Sequence, residues 1–301
     1  MIKTLVKKFA MVTLVLAITV DATVQAQSSK NSQSVEVYRD IGVKAYNSKE
    51  YEKAVEYFMK AAVQGDAESQ QVLGLCYKDG LGVQQNYRKA AEWYEKAALQ
   101  GNMYAQYWLG TLYENGNGIA QNLDTAISWY QKSAAQGLEE SKKAIGRIAA
   151  HYYDLGFNAF NAQDFKTSYT YYQKSADLGY ELAELKLGGL YYGGLYVKKD
   201  HSKAAEWWEK SAKQGNAEAQ RLFGYLLMVG DGVPKDSKKA AEWFGKSAKQ
   251  GDKSAQYWLG TLYENGDGVK KDINTALDLY RKSAAQGDEE AKKAVARLKG
   301  R

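Results

Sequence analysis

The sequence predicts an all-α protein: an α/α solenoid of antiparallel helix pairs, arranged in two duplicated blocks. Three observations predict it. The twelve residues AQYWLGTLYENG stand at 105–116 and again, unchanged, at 255–266. Glycines within apolar helical patterns recur every 36 residues, from Gly74 to Gly110 and from Gly188 through Gly224 to Gly260. After each comes a glycine loop, then Asn or Asp, then a second apolar-periodic segment. A catalytic site is needed once, whereas a unit that stacks on copies of itself is needed many times.

The first element is a leader. Lys3, Lys7 and Lys8 precede an apolar run from Phe9 to Val20, and Val24-Gln25-Ala26 is a small-x-small cleavage pattern. Residues 1–26 therefore read as a signal peptide cleaved after Ala26. The run is shorter than the roughly 20 residues of a membrane span, and an uncleaved anchor is the alternative reading. No membrane association is expected after cleavage, and the chain is expected to be exported, to the periplasm or beyond. Cleavage removes three lysines and one aspartate, lowering the net charge from +6 to +4. So mild an excess gives no concentrated basic face for nucleic acid. The single cysteine, Cys76, excludes an intrachain disulfide. Residues 27–36 read as a disordered segment before the first block.

Each long repeat then has the same parts. Two residues after the repeat glycine stands Cys76, Leu112, Leu190, Leu226 or Leu262, an apolar position of the first helix. The loops are DGLGV, NGNGI, GGLYV, GDGV and NGDGV. Asn86, Asn122, Asp200, Asp236 and Asp272 follow as N-caps, because their side chains can accept from an orphan helix N–H. The second helices end in Gln-Gly, as at Gly101 and Gly137, where glycine takes the left-handed conformation that closes a helix. A mid-helix glycine costs about 1 kcal/mol against alanine, so five retained copies imply close approach of another helix. Ala90, Ala126, Ala204, Ala240 and Ala276 are the expected matching small surface, and Trp93, Trp129, Trp207 and Trp243 the filling between units.

The pattern A-x-x-x-L-G-x-x-Y-x-x-G-x-G-V, then K-A-x-x-W-Y-x-K-A-A-x-Q-G, resembles the Sel1-like repeat, a relative of the tetratricopeptide (TPR) repeat. Five copies carry it, over roughly 67–138 and 181–288. The resemblance implies a right-handed superhelix that acts as a scaffold. One copy departs, with Tyr196 in place of the second loop glycine.

Residues 41–66 and 155–180 are shorter units without the glycine loop and look like TPR repeats. They open the two blocks, residues 37–150 and 151–301, which close with EESKKAIGRI and EEAKKAVARL. Between the blocks, EESKKAIGRIAAHYYDLGFNAFNAQ has no proline and reads as one long helix. The alternative is a break at Ala149-Ala150.

No residue set points to catalysis. The two histidines, His151 and His201, lack the convergent partners of acid–base chemistry. Cys76 has leucine at its sister positions and reads as a small core residue. The glycine loops lie between helices, whereas phosphate-binding turns follow a strand. No metal or cofactor ligand set is present. Some bacterial proteins resembling this family are linked to β-lactam chemistry, which uses Ser-x-x-Lys; no serine here has lysine three residues later. An envelope hydrolase acting on peptidoglycan or a β-lactam therefore rests on family analogy alone.

Binding has positive support. In TPR-like solenoids the first helix of each pair lines a concave groove. Offsets −6, −3, +1 and +4 from the repeat glycine select Tyr104, Tyr107, Thr111 and Glu114 in one repeat, and Ser254, Tyr257, Thr261 and Glu264 in its twin. Elsewhere they select Tyr46, Tyr153, Tyr192, Arg221 and Tyr225. Tyrosines among polar residues suit a protein or peptide ligand, or a cell-envelope glycan. Trp108 and Trp258, turned about 100° from their neighbours, are expected to be fully buried, with a cost of about 3–5 kcal/mol for Trp258→Ala.

Overall fold

The computed structural model describes residues 33–299, all of whose regular elements are α-helices. The predicted signal peptide, residues 1–26, lies outside the described residues. Helix α1 spans residues 33–47. It pairs with α2 (Tyr51–Ala62), as α3 (Ala67–Asp79) pairs with α4 (Tyr87–Leu99) and α5 (Met103–Asn115) with α6 (Leu123–Ala135). Then come α7 (Glu139–Asn161) with α8 (Phe165–Asp177), α9 (Glu181–Gly193) with α10 (His201–Lys213), and α11 (Ala217–Val229) with α12 (Ser237–Lys249). The last pair is α13 (Lys253–Asn265) with α14 (Ile273–Ala285), closed by α15 (Glu289–Lys299).

Two compact units divide the chain, the first ending at Ile145 and the second beginning at Gly146. The division falls inside α7, one uninterrupted helix of 23 residues. The break considered at Ala149-Ala150 does not occur. Residues 33–36, expected to be disordered, form the first turn of α1. That helix is tied to the next repeat by Arg39, whose guanidinium donates to Asp66 at 2.9 Å.

The N-caps form where the sequence places them. Asn86 accepts from the Lys89 N–H at 3.0 Å and Asn122 from Thr125 at 2.9 Å. Asp200, Asp236 and Asp272 cap α10, α12 and α14 in the same way. In the short repeats the turn is made by a single left-handed residue, Lys49 or Gln163. Tyr196 keeps the loop geometry of its sisters: its φ of 67° matches the 67° of Gly82 and 72° of Gly232.

The repeat glycine has a more specific reason than helix-to-helix approach. A Cβ on Gly110 would lie 2.8 Å from the Tyr130 ring, one on Gly188 2.3 Å from Trp208, and one on Gly260 2.8 Å from Tyr280. Each glycine makes room for the aromatic ring one place after the repeat tryptophan position on the partner helix. The matching alanines Ala90, Ala126, Ala204, Ala240 and Ala276 are fully buried beside these rings.

Buried polar side chains stitch the helices in series. Gln70, buried on α3, donates to the Ala62 carbonyl of α2 at 3.0 Å and accepts from Gln100 at the end of α4 at 2.8 Å. Gln106, Gln220 and Gln256 repeat this relay with Gln136, Gln250 and Gln286. Serines do likewise: Ser133, Ser211, Ser247 and Ser283 each donate to a carbonyl 30 residues upstream, at the start of the partner helix. Satisfied buried groups of this kind fix register, since leaving one unpaired costs about 1–3 kcal/mol.

Candidate aromatic cleft on the first helices

In the second unit, the first helices of three successive repeats frame a cleft of about 460 Å³. Helix α9 supplies Tyr192, α11 supplies Arg221, Leu222 and Tyr225, and α13 supplies Trp258, with Trp208 and Leu226 at the floor. The Tyr192 ring is held from both sides. It stacks on His201 at 4.4 Å between centroids and meets Trp208 at 5.3 Å. Trp208 is fixed in turn, its Nε1–H donating to the Leu185 carbonyl at 3.1 Å. Tyr225 lies 5.7 Å from Trp258. Arg221 is clamped by Asp252 at 3.2 Å and by Glu218 at 3.6 Å, so its charge is balanced within the wall.

The sequence-predicted groove residues divide into three groups. Tyr192, Arg221 and Tyr225 come together at this cleft. Tyr104 is exposed on α5. The others are half-buried among neighbouring side chains, except Glu114, which is buried. Tyr107 lies 5.7 Å from Tyr130 and Tyr257 5.6 Å from Tyr280. Tyr153 is set among Tyr172 and Tyr180, and Tyr46 against Tyr51 and Phe58. Glu114 is buried and accepts from the Tyr130 hydroxyl at 2.7 Å. Glu264 accepts from the Tyr280 hydroxyl at 2.9 Å and pairs with Arg297 of α15, which donates at 2.7 Å. These two carboxylates hold ring hydroxyls and are no longer assigned to the groove.

The tryptophan assignment is corrected as well. Trp108 and Trp258 are half-buried rather than enclosed. Trp258 lines the cleft, while Trp108 carries the Lys78 ammonium of the preceding repeat 4.5 Å from its ring. The reason is helical register. The position three before the repeat glycine points forward, toward the following elements, as Arg221 does toward Asp252 and Tyr257 toward Tyr280 and α15. The position two before it points back, as Trp258 does toward Tyr225. A cleft between two first helices therefore takes forward positions from one and backward positions from the next. A single set of offsets cannot describe both walls, and Leu222 and Trp258 were missed for that reason, whereas Trp208 enters from the second helix α10.

Chemically the cleft offers aromatic faces, tyrosine hydroxyls and one guanidinium. His201 is tied into the wall of the cleft: Nδ1 pairs with Asp231 at 2.5 Å, and Nε2 is buried without a partner. Cys76 is fully buried on α3, and burial pushes its thiol up to about 11. Among the described residues no group of three or more His, Cys, Asp or Glu is placed to hold a metal ion. Among them, too, no helix is long and apolar enough to cross a membrane.

The Sel1 repeat family model matches residues 41–66, 67–102, 104–138, 147–180, 182–216, 217–252 and 253–288. The two short units that look like TPR repeats are thus matched as Sel1 repeats too. A crystal structure of a protective antigen of uropathogenic Escherichia coli with an SLR fold is 32% identical, over 91% of this chain and 57% of that one, with a TM-score of 0.42. The chain thus spans little more than half of that relative. A Sel1 repeat protein from Oxalobacter formigenes is 29% identical over 82% of this chain and 96% of that one, with a TM-score of 0.37. Cysteine rich protein B of Helicobacter pylori is 26% identical over 38% of this chain and 93% of that one, with a TM-score of 0.31. No curated protein matches the sequence. Sel1 repeats generally serve protein–protein interaction and are generally not enzymes. With seven matched repeats spanning most of its length, the chain belongs to the Sel1 repeat family.

Proposed function

We propose that this protein is an exported, non-enzymatic adaptor that holds a peptide segment of a protein partner in the aromatic cleft of its second unit. The observation that carries the reading is the convergence of Tyr192, Tyr225 and Trp258 from three successive repeats around one cleft. Rings pre-fixed by stacking lose little freedom on binding, which favours recognition of an extended segment over a point contact. Export rests on the leader pattern of residues 1–26, and N-terminal sequencing of the protein recovered outside the cytoplasm tests it, with Gln27 expected first.

Partner capture from cell-envelope fractions tests the cleft. Tyr225 is partly exposed, so Tyr225→Ala preserves the fold, and with Trp258→Ala it strips two rings from the site. The double variant is expected to lose the partners that the unaltered protein recovers. Equal recovery overturns the cleft. Competition by isolated envelope glycan, in place of peptide, would make the ligand a glycan.

A further inference from the structure

The second helices carry a regular device on their own face. Trp93, Trp129, Trp207 and Trp243 are half-buried against the preceding repeat, each capped by the lysine three places on. The ammonium of Lys96, Lys132, Lys210 or Lys246 sits 3.9–4.2 Å from the ring centroid. The fifth long repeat breaks the pattern. Leu279 stands where the indole should be, although this repeat contains the twelve residues it shares unchanged with the Trp129 repeat. With no ring to cap, Lys282 pairs with Asp278 at 2.7 Å.

A second departure faces the first. Gly245 on α12 occupies the place of Glu95, Gln131, Glu209 and Arg281 in the other long repeats. A Cβ there would meet nothing within 4 Å. The two truncations leave an open-mouthed cavity of about 780 Å³ between α12 and α14, floored by Ala241, Leu259 and Leu279. Its rim carries Lys238, Lys246, Lys249 and Lys282 against Glu242 and Asp278, a surplus of positive charge.

We propose that this groove is a second binding site, which takes a tryptophan side chain from an acidic peptide segment of a partner. The occupant follows from the chain itself. Four sister positions are filled by an indole under a lysine ammonium, an attraction between cation and ring face. The fifth keeps the lysine and lacks the ring. The remaining lysines select carboxylates beside the incoming indole, since complementary rim charge governs which partner is admitted. The volume lies within the roughly 300–1,000 Å³ of ligand sites and accommodates the flanking residues of the segment. This site is independent of the aromatic cleft, and either can fail without the other.

Titration of the protein with the peptide Asp-Glu-Trp-Glu-Asp, followed by calorimetry and backbone amide shifts, tests the proposal. Shifts are expected at Gly245, Leu279 and Lys282, and replacing the peptide tryptophan by alanine is expected to weaken binding at least tenfold. Leu279→Trp, which restores the internal indole, is expected to weaken binding at least tenfold. Gly245→Glu restores the commonest sister residue at an open position, needs no repacking of the core, and is expected to do the same. Undetectable binding at millimolar peptide, shifts confined to the Tyr225 and Trp258 cleft, or affinity unchanged in both variants would each overturn the site.

Discussion

At the scale of single residues, departures from the repeat consensus show where the fold carries a cost. Glu184 occupies the relay position held by glutamine in four sister repeats, and it is buried. Burial raises its carboxyl above the usual range, while the Gln214 amide, donating at 2.8 Å, pulls the other way. A carboxyl raised in the folded state binds its proton more tightly there than in the unfolded chain. Its stability contribution is complete below the unfolded value, about pH 4.3, and is lost as pH rises through the folded value. An ionised carboxylate also cannot donate to the preceding helix, as Gln70 does to Ala62. Glu184→Gln is therefore expected to stabilise by about 1 kcal/mol at pH 7, and chemical denaturation at pH 3.5 should show that gain disappear. Tyr196 is the second departure. Its left-handed backbone costs a non-glycine residue about 1–2 kcal/mol, and its exposed ring returns little. Tyr196→Gly should raise stability by about 1 kcal/mol, and unchanged or lower stability would mean the ring contact with Tyr169 outweighs the strain.

At the scale of helices, the glycine that looks weakest is the one that cannot be replaced. Gly188 and Gly189 are adjacent in α9, and both should favour alanine on propensity alone. A Cβ on Gly188 would strike the Trp208 ring at 2.3 Å, whereas one on Gly189 meets nothing within 4 Å. Gly188→Ala is expected to destabilise by about 1–3 kcal/mol through overpacking. Gly189→Ala is expected to stabilise by about 0.5–1 kcal/mol, and urea midpoints of the two variants make the comparison. Trp258 of α13 and Tyr280 of α14 separate in the same way. Trp258 is half-buried, so Trp258→Ala should cost about 1–3 kcal/mol, less than the enclosed Tyr280, for which about 3–5 kcal/mol is expected. If Trp258 proves as costly as Tyr280, the tryptophan is core and not cleft wall.

At the scale of the whole molecule, each repeat within a unit is covered by the element that follows it, so the last described helix carries a load of its own. Helix α15 covers Tyr257 and Tyr280 through Ala291 and Ala294, and its Arg297 holds Glu264 against the Tyr280 hydroxyl. Without that cover the repeat would expose its apolar face. Removing residues 289–301 is expected to lower the thermal midpoint clearly. Proteolysis should then begin within 253–288, the repeat left uncovered. Cleavage starting elsewhere would show that the last repeat stands without its cap.

The fold was legible because its determinants are local and repeated. Asn122 caps α6 and Gly137 ends it by chemistry confined to a few neighbouring residues, and a period of 36 multiplies that evidence. The continuity of α7 was legible for a related reason: nothing between Glu139 and Asn161 breaks a helix. The site was legible only in part. Tyr192, Arg221 and Tyr225 follow from one helical face, but Trp258 enters from the opposite wall and Trp208 from the floor, and which residue meets which is set by packing between repeats. Glu114 and Glu264 show the same division, since a carboxylate at a groove-facing offset reads as surface until a tyrosine hydroxyl from the partner helix reaches it. The sequence by itself determined the helices, their ends and their order, because those depend on neighbours along the chain. Only the tertiary structure decided which aromatic rings line the cleft and which face each other, because that depends on neighbours in space.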